Sequence, residues 1–72
     1  MFEFKSIIIP EGVIVIEEIA FLGCDKLETI FNASDVEVIV GDNYNCHVTS
    51  LTTQVYNKGE WNYVNGVATP NN

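Results

Sequence analysis

Ile7-Ile8-Ile9-Pro10-Glu11-Gly12-Val13-Ile14-Val15-Ile16, continued by Ala20-Phe21, Cys24, Leu27 and Ile30, is the stretch whose reading decides the fold. Shifting the chain by 23 residues lays a second, worn copy beneath it. Ile7 then falls on Ile30, Ile8 on Phe31, Val13 on Val36, Val15 on Val38, Ile16 on Ile39 and Phe21 on Tyr44. A repeat of about 20 to 30 residues implies stacked strand-and-turn units, each covering the apolar face its neighbour cannot bury alone. Repeat 1 spans about residues 7–29 and repeat 2 about 30–52. No third copy follows at that shift, which sets Gly59 against Val36 and Asn62 against Ile39.

Working outward, residues 2–9 alternate at first, Phe2 and Phe4 against Glu3 and Lys5, then turn continuously apolar. That predicts a strand, half-exposed and then buried on both faces. Pro10-Glu11-Gly12 predicts a turn and residues 13–16 a second strand. Residues 17–22 predict one or two helical turns, with Glu17 and Glu18 near the positive end of the dipole and Gly23 as the stop. The second unit repeats this plan more weakly, with strands over 27–31 and 36–40 and a loop at Gly41-Asp42-Asn43. From Leu51 the texture changes. Thr52, Thr53, Val55, Tyr56, Trp61, Tyr63 and Val64 surround Asn57-Lys58-Gly59, which reads as a hairpin over about 51–68. Asn65-Gly66 is another turn signal, and residues 69–72 read as a frayed tail. The fold class is thus mostly β with one short helix: a two-coil stack closed by a C-terminal hairpin, in one domain covering residues 1–72.

Charge narrows the functional classes. Three lysines, no arginine and ten carboxylates give a net charge of −7. An acidic chain without arginine repels phosphate backbones, so direct nucleic-acid or anionic-membrane binding is not expected. No segment approaches the ~20 apolar residues needed to span a bilayer, and the start carries no signal-peptide pattern. A cytoplasmic location follows as the expectation, with Cys24 and Cys46 reduced. Seventy-two residues bury only about 60% of their extended surface, so self-association, a disulfide or a metal would help hold the fold.

The search for catalytic groups finds little. The single histidine, His47, adjoins Cys46, but neighbours on a strand point to opposite faces, against a thiol–imidazole dyad. Stacking could bring Cys24 near Cys46 and His47, yet zinc would want a fourth ligand at recognisable spacing. Glu17-Glu18 complement a helix dipole more simply than they form an acid–base pair. Asp42-Asn43-Tyr44-Asn45 lacks the ligand pattern of a calcium loop. No catalytic, cofactor-binding or metal-binding residues are expected, and the chain does not read as an enzyme. Trp61, Tyr63 and Tyr56 can cover the last coil or form a binding hot spot. With Glu17, Glu18 and Asp42 they are the candidate partner-binding residues.

Ile7, Ile9, Pro10, Val13, Ile16, Ala20, Phe21, Cys24, Leu27 and Ile30 stand where the BspA-like leucine-rich repeats place their consensus, so repeat 1 resembles that family. Repeat 2 departs from it, with Ala33 for proline, Asn43-Tyr44 for Ala-Phe and His47 for cysteine. The resemblance implies a leucine-rich-repeat-like solenoid, a buried thiol at Cys24 and a protein–protein interaction role. The partner is expected to be a protein of unspecified identity. A two-fold homodimer through the edge strand at residues 2–9, beside Phe2 and Phe4, is also expected. The alternative is an acidic inhibitor, of the kind a phage would encode, that blocks a nucleic-acid-binding enzyme by charge mimicry. That reading requires Glu11, Glu17, Glu18, Asp25, Glu28, Asp35 and Asp42 on one face.

Overall fold

The computed structural model describes residues 5–21, 26–41 and 45–71. Five strands are formed: β1 (Ser6–Ile9), β2 (Thr29–Asn32), β3 (Gln54–Tyr56), β4 (Trp61–Val64) and β5 (Val67–Pro70). The first three make a parallel sheet in the order β1-β2-β3, and the last two make an antiparallel pair.

The β1–β2 register sets Ser6 against Thr29, Ile7 against Ile30, Ile8 against Phe31 and Ile9 against Asn32. This is the 23-residue offset at which the sequence matches itself. Parallel strands need a long crossover between them, and each intervening segment supplies it. Alternate residues face opposite sides of the sheet. Ile7, Ile30 and Val55 therefore form one column, and Ile8, Phe31 and Tyr56 the column on the reverse face. The first column belongs to the core, where Ile9, Leu27, Ile30, Val38 and Val48 are buried and Ile7, Val13, Ile16, Phe21 and Val55 pack against them.

Several expectations are corrected. A third strand does follow: β3 pairs with β2 in parallel, Thr29 with Gln54 and Phe31 with Tyr56, an offset of 25 rather than 23. Residues 54–56 therefore extend the sheet and do not form the first arm of a hairpin. The hairpin is β4–β5, with Trp61 opposite Pro70 and Val64 opposite Val67. Asn65 and Gly66 turn it, with φ of 52° and 80°, as two-residue hairpin loops of the type I′ kind require. Thr69 and Pro70, expected in a frayed tail, lie in β5; Asn72 lies outside the described residues. No strand forms over residues 13–16, and over 36–40 only Val40 is bridged, to Val48.

No helix occurs among the described residues, and residues 18–21 form turns. Ile19 sits at φ 49°, left-handed backbone that a helix excludes. Its N–H donates to the Cys46 carbonyl at 2.6 Å, and that of Phe21 to the His47 carbonyl at 3.1 Å. These donors serve another segment, so the local helical tendency is overridden. His47 thus lies opposite Phe21. Phe21 itself is half-buried. Leu22, Gly23, Cys24, Asp42 and Tyr44 lie outside the described residues, as do Phe2 and Phe4.

Candidate functional site: an open apolar edge and a closed aromatic cluster

The reverse face of the sheet is closed by aromatic rings. Phe31 stacks on Tyr56 with centroids 5.5 Å apart, Trp61 tilts against Phe31 at 5.1 Å, and Tyr63 meets Trp61 edge-on at 5.1 Å. Trp61 is buried, and its indole N–H donates to the Asn32 carbonyl at 3.0 Å. A large ring with a satisfied polar tip holds the hairpin to β2. Of the aromatic candidates, Trp61 is thus a covering group, Tyr56 is half-buried, and Tyr63, 57% exposed, remains reachable. Phe31 touches Tyr56 and Trp61 in this cluster, and Tyr63 joins through Trp61. Sequence reasoning missed it because a phenylalanine inside an apolar strand reads as ordinary core.

Beneath the cluster lies a polar knot. The buried Asn32 Oδ1 accepts from the Ser34 N–H at 2.9 Å and the Ser34 hydroxyl at 2.6 Å. Its Nδ2 donates to the Val36 carbonyl and, at 2.9 Å, to Asn57 Oδ1. Asn57 Oδ1 also accepts the Val38 N–H at 2.8 Å. Asn57 follows β3 as Asn32 ends β2, so two amides one strand apart satisfy the backbone of the intervening turn.

The potentially reactive side chains have structural partners. Cys46 is buried, and its thiol donates to the Gly41 carbonyl at 3.0 Å. His47 is buried, and its Nδ1 accepts the Ile39 N–H at 3.0 Å, so that nitrogen carries no proton. Among the described residues no three His, Cys, Asp or Glu side chains converge to hold a metal ion. Nor is any helix there long and apolar enough to cross a membrane.

Acidic groups occupy separate places. Asp35 pairs with Lys58 at 2.8 Å across two turns. Hydrogen bonding to Lys58, and then its charge, hold the Asp35 carboxyl below the ordinary value; the same contacts raise Lys58. Glu28 lines a cleft with Lys5 and Lys26. Glu17 and Glu18 are exposed on the turn after residue 16.

The open region is at the other end of the sheet. β1 has β2 on one side and no strand on the other among the described residues. Beside it lies a shallow hollow of about 360 Å³, lined by Ile7, Ile8, Val13, Val15, Ile16 and Phe21 among others. Among the described residues, Glu17 is the one charged residue on its wall. The hollow brings Glu17 to β1, whereas Tyr56, Trp61 and Tyr63 gather around Phe31, so the candidate residues do not form one site. Compared with protein-family models, curated proteins and solved structures, the chain matches none.

Proposed function

We propose that the chain is a small, non-catalytic protein–protein interaction module that binds through the β1 edge and the apolar hollow beside it. We read the architecture as a short leucine-rich-repeat-like stack of the BspA-like kind, with the β4–β5 hairpin as its cap. The 23-residue offset of β1 on β2 supports that reading, because the offset is the period of the repeat. The observation that carries the functional reading is an apolar edge strand beside a hollow whose wall holds, among the described residues, a single carboxylate. Large exposed apolar surface rimmed by polar groups marks association sites, and a bare strand edge offers backbone donors and acceptors to a partner.

Charge mimicry is the weaker reading. It needs an uninterrupted acidic face, yet Asp35 is paired with Lys58 and Glu28 sits among lysines. A direct test places a photo-crosslinker at Val15, in the hollow, or at Leu51, exposed elsewhere on the chain. The module reading expects discrete adducts from position 15 that Ile8→Lys abolishes, with none from position 51. Equal labelling from both positions would contradict it.

A further inference from the structure

We propose that the occupant of the open edge is a second copy of this chain, in a two-fold dimer whose β1 strands pair antiparallel about Ile8. The inference rests on the interaction-module reading and identifies its partner.

Matched positions show what is missing. Ile8 is 47% exposed, whereas Phe31 beneath it is 8% exposed. Val15 is 63% exposed, and Val38, its counterpart 23 residues on, only 4%. Among the described residues, β2 has a neighbouring strand on each side and β1 has one. A further apolar strand layer would complete the first unit.

The opposite end of the sheet does not supply that layer. The approach to β3 runs Thr49-Ser50-Leu51-Thr52-Thr53-Gln54, with Thr52 and Gln54 exposed and Leu51 the one large apolar group. Head-to-tail stacking would set this polar end against the apolar hollow and leave the series open-ended. Pairing two hollows is apolar on apolar and closes at two copies.

Backbone geometry fixes the register. The Lys5 and Ile9 carbonyls accept from Thr29 and Ala33 N–H groups, so odd residues of β1 direct their backbone at β2. Ser6 and Ile8 therefore direct theirs at the free edge. Antiparallel pairing about Ile8 lets the two Ile8 residues exchange both bonds. It also aims each Ser6 N–H at the partner chain's Pro10 carbonyl, and proline, lacking an N–H, ends the ladder there. The same register sets Lys5, three residues before Ile8, opposite Glu11, three residues after it, in the other chain. Two opposite-charge pairs then flank an apolar centre, offsetting locally the repulsion between chains of net charge −7.

Analytical ultracentrifugation of the purified chain at tens of micromolar tests this. The expected result is a reversible dimer with twice the mass of one chain. Ser6→Pro removes an N–H that faces away from β2, so the protomer fold, read by circular dichroism, is retained while the dimer dissociation constant rises about tenfold or more. Lys5→Glu and Glu11→Lys should each weaken the dimer, and the two together should restore it. A mass of one chain at every concentration overturns the proposal, as does open-ended assembly or a dimer indifferent to Ser6→Pro. Monomers that still give Ile8-dependent adducts from position 15 would leave the module reading standing and remove only this partner.

Discussion

The first and second strand-and-turn units carry nearly the same residue types and meet very different surroundings. Ile7 and Ile30 share a column of the sheet, yet Ile30 is fully buried and Ile7 only half-buried. Val15 and Val38 share a place in the repeat and lie at opposite extremes of exposure. Burial here is set by the number of neighbouring layers, and a residue's own hydrophobicity does not reveal that number. The β3 end of the sheet differs, with threonines and a glutamine, while the hairpin packs on the reverse face against Phe31. One end of the sheet is finished by polar chemistry and the other is left apolar.

Truncation at matched positions breaks that comparison most directly. Ile30→Ala should cost ~2–5 kcal/mol, enough to unfold a domain this small, whereas Val15→Ala should be nearly neutral in the isolated chain. Urea unfolding of both variants measures the gap. If two chains pair as proposed, the Val15→Ala penalty should grow with protein concentration while the Ile30→Ala penalty does not. Equal costs at low concentration would mean that the first unit is already covered.

A second contrast lies two residues further along the strands. Ile9 in the first unit is followed by Asn32 in the second, and Asn57 comes after β3. Asn32→Ala would take the Oδ1 acceptor from the Ser34 N–H and leave the Ser34 hydroxyl and the Val36 carbonyl with only the longer 3.3 Å and 3.2 Å contacts between Ser34 and Val36, at a cost of ~1–3 kcal/mol. Asn32→Ser should recover little, because a hydroxyl cannot reach Ser34, Val36 and Asn57 together. Calorimetric melting of both variants provides the check, and a wild-type midpoint for Asn32→Ala would show that the turn stands without its amide.

What the residues disclosed was local or strictly periodic. The β1–β2 register could be read because three isoleucines and the 23-residue self-match point to one alignment. β3 escaped because its offset is 25, so a fixed shift slides past Val55 and Tyr56. The helix expected over 17–22 followed local preference, but Cys46 and His47 carbonyls far along the chain take those N–H groups. Asn65-Gly66 was legible as a turn; that it, and not Asn57-Lys58-Gly59, closes the hairpin depends on β3 having been claimed by β2. Trp61 reads, from its size and polar tip, as a cover for the last coil or as a binding residue. Only the fold shows that Phe31 and the Asn32 carbonyl already hold it.

The hairpin offers a smaller effect at the finished end. Gly66 has φ 80°, and a Cβ there would meet no atom within 4 Å, so Gly66→Ala carries backbone strain without a clash. A loss of ~1–2 kcal/mol is expected from that strain. Tyr63 fluorescence should report the hairpin loosening before the parallel sheet unfolds. Loss of both in a single step would make the hairpin inseparable from the sheet.

The smallest effect belongs to Asp35 and Lys58, which join the turn after β2 to the turn after β3. At the first unit's turn, Glu11 reaches Lys58 only through its field. The direct pair is fully exposed and screened by water, so Lys58→Gln should leave the urea midpoint near neutral pH within error. Its pH dependence has a definite sign. The folded Asp35 carboxyl lies below its ordinary value, so its contribution is present above about pH 4 and is lost as pH falls through the lowered value. Lys58 is raised when folded, so its contribution is complete below about pH 10 and is lost as pH climbs through the raised value. The wild-type and Lys58→Gln stability curves should therefore coincide below the lowered Asp35 value and above the raised Lys58 value, with any separation confined between them. High salt should close even that separation, because exposed charges are screened first. A separation that survived salt would place the pair in a less hydrated setting than its exposure indicates, and would make the turn column a third contributor to the junction between units.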